Sequence, residues 1–368
     1  MPERSALRGL LRVLARPVRT ARGRHGVVLQ PYRGYGSALR IFVIGRAFWQ
    51  RTGDDPAEGE LRDIVRRIRR RPVREARIRA RFYGAETEVL TDRDGYFRVE
   101  MAPGGPVPTD RLWHRLELAM LAPERLETTA EVYIPTRARV VVVSDIDDTV
   151  MHTGVANKAA MLWRLFVQDA ESRTVFPGVS VLYRALHAGA SGDEGNPMLY
   201  VSRAPWGIYE LLEEFFRTHD IPEGPILFLR EWGLSWRHPV PRRAVDHKQR
   251  LIEAMMALYD DMPFVLIGDS GQHDPEVYQH IVAQAGARVR AVYIRDIAAR
   301  GPERSAEVTA MAAALRAAGG GHLVLAPDSL AIAEDAARLG LIAPEAVAAV
   351  GARVEERRRA GIDPPPPA

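Results

Sequence analysis

The chain has no cysteine in 368 residues, which removes disulfides and thiolate metal sites from consideration. That fits a reducing compartment, and the expected location is cytoplasmic. No apolar run approaches the ~20 residues a spanning helix needs, so an integral membrane protein is not expected. A secretory leader is not expected either, because Arg8 and Arg12 break the apolar core it would require. Internal repeats are absent. The arginine runs lack interleaved aromatics for base stacking and no recognition motif is present, so nucleic acid is not an expected partner. The charge excess is small, at +4, but arginines crowd the first 81 residues and make the positive field local.

What is present is the composition of an ordinary soluble protein, 46% hydrophobic and 27% charged, with length for two domains plus tails. In the first segment, residues 1–36, Leu7, Leu10, Leu11 and Leu14 share one helical stripe and Arg4, Arg8, Arg12 and Arg16 another. Two readings stay open: a basic amphipathic helix lying peripherally on an anionic membrane surface, or a solvated helix.

Residues 37–136 read as an all-β, sandwich-like domain. Its β-like runs are Leu39 to Phe48, Val73 to Tyr83, Glu86 to Thr91, Gly95 to Met101, Leu112 to Met120 and Thr128 to Ile134. Asp92-Arg93-Asp94-Gly95 is a turn sequence suited to a hairpin between the third and fourth. The arginine-rich stretch Leu61 to Arg71 looks helical and solvated.

From residue 137 the pattern changes. Apolar runs at Arg139 to Ser144, Met198 to Ser202, Pro225 to Leu229, Phe264 to Gly268 and Val289 to Ile294 alternate with helical ones. The helical stretches are Val179 to Ala188, Ile208 to His219, Lys248 to Asp260 and Glu276 to Gln284. Apolar strands with helical crossovers predict a parallel sheet covered on both faces, over 137–300. Residues 301–345, including a sixth run at Leu323 to Ala326, are expected to complete it, and 346–368 to form a charged, proline-rich tail.

Chemistry is expected beyond the carboxyl ends of such strands. Val140-Val-Val-Val-Ser-Asp-Ile-Asp-Asp-Thr149 puts Asp145 and Asp147 there. A second strand ends at Ser202, followed by Arg203; Asp246-His247-Lys248 opens a helix; and a further strand ends at Asp269, with Asp274 five residues on. Singly each has a plainer reading as a turn, cap or surface residue. Together their order is nucleophile strand, hydroxyl strand, lysine, acidic strand. A response-regulator receiver uses similar residues in a different order.

These four motifs resemble the haloacid dehalogenase superfamily. Within it, the wording Ser144-Asp-Ile-Asp-Asp-Thr149, Phe176-Pro-Gly178, Tyr200-Val-Ser-Arg-Ala-Pro-Trp206, Asp246-His-Lys248 and Gly268-Asp-Ser-Gly-Gln-His-Asp-Pro-Glu-Val-Tyr278 resembles the actin-patch-type phosphatidate phosphatase family. The resemblance covers about residues 139 to 300. It implies a haloacid dehalogenase-like Rossmannoid α/β sheet with a small cap, following the β domain.

A carboxylate such as Asp145 can attack a phosphate monoester once the charge on its oxygens is neutralised, giving an aspartyl-phosphate. Asp147 can protonate the leaving alkoxide and then deprotonate water. Asp145 and Asp269 crowd two negative charges, which calls for a cation; Mg²⁺ accepts carboxylate oxygens and bridges phosphate. The resemblance adds the backbone carbonyl of Asp147 as a ligand, and Asp274 either ligates the metal or holds a metal-bound water. Thr149, Ser202, Arg203 and Lys248 are the expected phosphate-binding residues, with Ser202 and Lys248 stabilising transition-state charge. His152, His247 and His273 flank the motifs and are candidates for substrate contact.

The segment Val150 to Phe176 is a short cap, which leaves the site open to a large substrate. Leu162, Trp163, Leu165 and Phe166 either touch an acyl chain or pack on the core. Leu229 to Arg237 offers arginines for a second anion and tryptophans suited to a membrane interface, or is a loop packed on its own domain. The expected activity is hydrolysis of phosphatidate, or a related lipid phosphate, to diacylglycerol and inorganic phosphate. The alternatives are a soluble phosphomonoesterase and a lipid- or protein-binding adaptor with a vestigial catalytic domain.

Overall fold

The computed structural model describes residues 20–50, 70–146, 149–150, 175–202, 209–228, 244–297, 301–318 and 321–360. Several expectations lie outside them: the helix of residues 1–19, most of Leu61 to Arg71, the cap from 151 to 174, the loop from 229 to 237, and 361–368.

The described residues of the first half of the chain fold into ten strands: β1 Ala21–Arg22, β2 Val27–Pro31, β3 Gly34–Gly36, β4 Ile41–Trp49, β5 Arg71–Pro72, β6 Arg77–Phe82, β7 Ala85–Leu90, β8 Tyr96–Met101, β9 Trp113–Ala122 and β10 Leu126–Tyr133. They form one hydrogen-bonded sheet, where a sandwich would have two. The long β4 is the reason: Ile41 to Arg46 pair with β8 on one edge, while β2 and β3 share the opposite edge. Period-2 alternation sends Ile78, Ala80, Phe82, Leu116, Leu118, Phe97 and Val99 into one core. It sends Arg79 and Arg81 outward to Glu88 and Glu86, pairs too exposed to contribute much stability.

Two expectations change here. Residues 20–36, assigned to the N-terminal segment, supply three strands, and Val27, Val28 and Leu29 are core residues. The Asp92–Gly95 turn forms, with Asp92 Oδ1 accepting the N–H groups of Asp94 and Tyr96, but it does not join a hairpin ladder. β8 pairs with β4 and β7 with β6. The hairpin is β6–β7, turned by Tyr83 and Gly84 at φ 45° and 90°, the left-handed pair that a two-residue I′ turn requires.

The second half forms a six-stranded sheet of β11 Val141–Asp145, β12 Met198–Ser202, β13 Ile226–Phe228, β14 Phe264–Asp269, β15 Val289–Arg295 and β16 Leu323–Ala326. All neighbours are parallel, in the order β13-β12-β11-β14-β15-β16. The chain starts in the middle, builds outward one way and then the other, so the strand order switches between β11 and β14. Seven helices follow among the described residues: α1 Val179–Ala188, α2 Tyr209–Thr218, α3 Ala244–Leu258, α4 Asp274–Ala285, α5 Pro302–Ala317, α6 Ser329–Arg338 and α7 Glu345–Arg359. Helices α1, α2, α6 and α7 bury Tyr183, Phe216, Ile332 and Val350 on one face of the sheet. Helices α3, α4 and α5 bury Met255, Tyr278 and Val308 on the other. Residues 346–359, assigned to a tail, are therefore part of the domain: Val350 and Val354 pack beside Gly178 at the start of α1. Among the described residues no helix is long and apolar enough to cross a membrane.

The two sheets meet at the kink between β2 and β3. Tyr32 is buried against Tyr209, ring centroids 4.5 Å apart, and the Arg33 N–H donates to the Tyr209 hydroxyl at 3.0 Å. The Arg33 guanidinium lies 3.1 Å from both Glu213 and Glu223, and Gln30 donates to Glu210. Burial pushes the Glu213 carboxyl up even though Arg33 pulls it down. Removing Arg33 leaves that carboxylate buried and uncompensated, so Arg33→Ala is expected to cost about 3 kcal/mol. A raised acid pKa favours the protonated folded form, so stability is lost as pH rises through it. Thermal melts should therefore show the Arg33→Ala penalty largest at about pH 8, shrinking toward about pH 5 as Glu213 takes up its proton. A penalty independent of pH would remove Glu213 from the explanation.

Candidate active site

Four consecutive valines, Val140 to Val143, make β11 a buried central strand, and its last residue, Asp145, is fully buried. β14 runs beside it, with Ser144 level with Ile267, and ends at the equally buried Asp269. On the other side Asp145 is level with Val201, so the buried Ser202 ends one position further along β12. The carboxylates and the hydroxyl thus gather at the switch point of the strand order, where open α/β sheets leave a crevice for ligands.

Lys248 enters from α3 and is itself buried. Its Nζ donates to Asp145 Oδ1 at 2.6 Å and to Asp274 Oδ1 at 2.5 Å. Burial alone would push the ammonium down, but Asp145 and Asp274 outweigh it and hold the Lys248 pKa well above the ordinary lysine value. Tyr278, one turn beyond Asp274 on α4, presents its ring 5.5 Å from Nζ and anchors its hydroxyl on the Ile267 carbonyl. Asp274 opens α4, and its Oδ2 accepts the Asp269 N–H at 3.3 Å. The close approach depends on Gly268: a Cβ there would lie 2.3 Å from Asp274 Oδ2.

Asp145, Asp269 and Asp274 present oxygens that all lie within 4.8 Å of one another. Among the described residues three buried carboxylates gather around one ammonium, an excess of negative charge that a bound cation would offset. The donors are all oxygen, a set suited to a hard divalent ion. The cluster brings together a buried carboxylate held by an ammonium and a set of oxygens compatible with a metal.

The sequence-derived residues divide clearly. Asp145, Lys248, Asp269 and Asp274 come together, and Ser202 ends the adjacent strand. Thr149 is buried in the turn after β11, its Oγ1 without a hydrogen-bond partner among the described residues. His273 caps α4 and is exposed, and His247 precedes Lys248 half-buried. Asp147, Arg203 and His152 lie outside the described residues. Sequence reasoning missed Tyr278 and Gly268 as site residues, although both stand inside the quoted motif. It also missed the Ser144 hydroxyl, 2.6 Å from the Tyr183 hydroxyl on the opposite face of β11.

Fold and site together define a parallel α/β domain with a buried lysine–carboxylate cluster at its topological switch point. Residues 140–296 match the family model described as the catalytic domain of phosphatidate phosphatase APP1. The match is confined to that segment, less than half of the 368 residues. The chain is 33% identical over 154 residues to phosphatidate phosphatase APP1 of Saccharomyces cerevisiae. It is 26% identical over 217 residues to an uncharacterised protein of Schizosaccharomyces pombe. Those alignments take in 42% and 58% of this chain but only 25% and 35% of the two relatives. A carbohydrate acetylesterase from Xanthomonas citri overlays 89% of this chain and 72% of its own at 10% identity, but the TM-score of 0.27 carries no argument.

Proposed function

We propose that this protein is a Mg²⁺-dependent phosphatase of haloacid dehalogenase type, hydrolysing phosphatidate or a related lipid phosphate through an aspartyl-phosphate. The observation that carries the reading is the Asp145–Lys248–Asp274 bridge beside Asp269, all four residues buried at one end of the parallel sheet. The match over 140–296 supports phosphatidate as the substrate class, and the strand order supports the fold type.

In this mechanism an Asp145 carboxylate oxygen bonds to phosphorus as the ester P–O bond breaks, and the leaving alkoxide takes a proton from Asp147. Asp147 then takes a proton from water, whose oxygen bonds to phosphorus as the bond to Asp145 breaks. Inorganic phosphate leaves and both aspartates return to their starting states. Lys248 holds Asp145 for attack and offers positive charge to the phosphoryl oxygens, while Ser202 and Thr149 offer hydroxyls. Asp145, Asp269 and Asp274 would hold Mg²⁺, which supplies charge neutralisation for the phosphoryl group. Diacylglycerol stays in the bilayer, so the reaction belongs at a membrane surface.

The test is phosphate release from phosphatidate vesicles and from soluble monoesters, each with Mg²⁺ and with chelator. Release from vesicles that chelator abolishes and Mg²⁺ restores is the expected result. Rapid hydrolysis of soluble esters with none from vesicles would establish a soluble phosphomonoesterase instead. Vesicle binding without release from any ester would leave an adaptor.

A further inference from the structure

The loop from Asp269 to Asp274 must aim two buried carboxylates at one point while their charges repel. Its shape is not set by the sheet alone. Arg304, in the first turn of α5, reaches across to it with most of its side chain buried. Nε donates to the Ser270 carbonyl at 2.9 Å, and Nη2 donates to the Gln272 carbonyl at 2.9 Å. The same guanidinium forks onto Glu276, Nη1 to Oε1 at 2.6 Å and Nη2 to Oε2 at 3.0 Å. Glu276 stands two residues beyond Asp274 in the first turn of α4. Ser270 is held a second time, its Oγ accepting the Ile297 N–H at 2.8 Å and its own N–H donating to the Arg295 carbonyl.

We infer that Arg304 is a positioning residue for the divalent-cation site, fixing the backbone that separates Asp269 from Asp274. The inference rests on the cation reading proposed above. Among the described residues, four of its five hydrogen bonds go to the loop or to the helix that Asp274 opens, and the fifth goes to Glu307 on its own helix. A planar fork satisfies two carbonyls and a carboxylate at once, which lysine's single ammonium cannot do. Arg304 touches none of the three carboxylates directed at the cation. Its effect is therefore on how well they are pre-aimed, and outer partners of this kind typically tune metal affinity about 10- to 100-fold.

The experiment is Mn²⁺ binding to the full chain, followed by electron paramagnetic resonance, for wild type, Arg304→Gln and Glu276→Gln. Arg304→Gln is expected to weaken Mn²⁺ binding by roughly 10- to 100-fold. The half-saturating Mg²⁺ for phosphate release should rise in parallel, with kcat at saturating Mg²⁺ within about threefold. Glu276→Gln keeps the two carbonyl contacts and loses half of the charged fork. It is expected to fall between the other two, and it carries the test if Arg304→Gln does not fold. Mn²⁺ affinity within threefold of wild type in the folded variant, or a fall in kcat with no change in metal affinity, overturns the role of Arg304. A wild-type chain that binds no Mn²⁺ removes the cation reading itself, a separate result.

Discussion

Asp145→Asn is expected to lower phosphate release by on the order of 10⁴-fold or more, because an amide oxygen cannot carry the covalent step. The same change is expected to leave the fold intact. Asp145 is fully buried within 4.8 Å of two other carboxylates, so removing its charge relieves repulsion. Asn preserves the shape, and its Oδ1 can still accept from Lys248. The melting temperature should hold or rise while turnover disappears. Acid-quenched protein exposed to labelled substrate should carry phosphate in the wild type and none in the variant. Vesicle binding is expected to persist in both. Unchanged turnover in Asp145→Asn would reject this residue as nucleophile. A lost signal accompanied by a lower melting temperature would assign Asp145 to scaffolding instead.

The parallel sheet was legible because both of its faces are buried. Its strands read as nearly unbroken apolar runs that need no partner to identify them, and Met198–Ser202 and Leu323–Ala326 match their runs residue for residue. The large sheet was less legible because its pairing is non-local. Val27–Pro31 is only five residues long among basic ones, and what makes it a strand is β4, pairing Val27 with Trp49. Asp92–Gly95 reads locally as a hairpin turn, yet β4 offers β8 a six-residue ladder, Ile41 to Arg46, that a local reading cannot see.

The site shows the same division. Asp145, Asp269 and Ser202 were legible because each ends an apolar run, and strand ends are where parallel sheets hold chemistry. The order of motifs supplied Lys248, but nothing in the sequence says that its ammonium bridges Asp145 and Asp274 rather than Asp145 alone. That contact depends on how α3 and α4 pack against each other. Arg304 carries no local signal at all. An arginine in the first turn of a helix reads as a solvated residue, and only the fold brings it against a loop thirty or so residues earlier.

Lys248→Met separates the two roles that lysine holds. With the ammonium gone, Asp145 and Asp274 remain buried without their shared partner, and breaking such a contact costs about 3–5 kcal/mol. Turnover is expected to fall by roughly 10²- to 10³-fold from lost stabilisation of the phosphoryl charge. Because the Lys248 pKa is raised, its contribution to stability is complete below the ordinary lysine range and is lost only as pH rises through the elevated value. Titration of the ammonium itself should therefore add no pH dependence to the melting difference between wild type and Lys248→Met from about pH 6 to about pH 9. Adding Mg²⁺ should raise the melting temperature of Lys248→Met more than that of wild type. In the variant the ion takes over from the ammonium that bridged Asp145 and Asp274, so its affinity and its linkage to folding both increase. A variant that melts like wild type without metal would mean the carboxylates are already neutralised by protons. In that case the requirement for a cation would lose its physical basis.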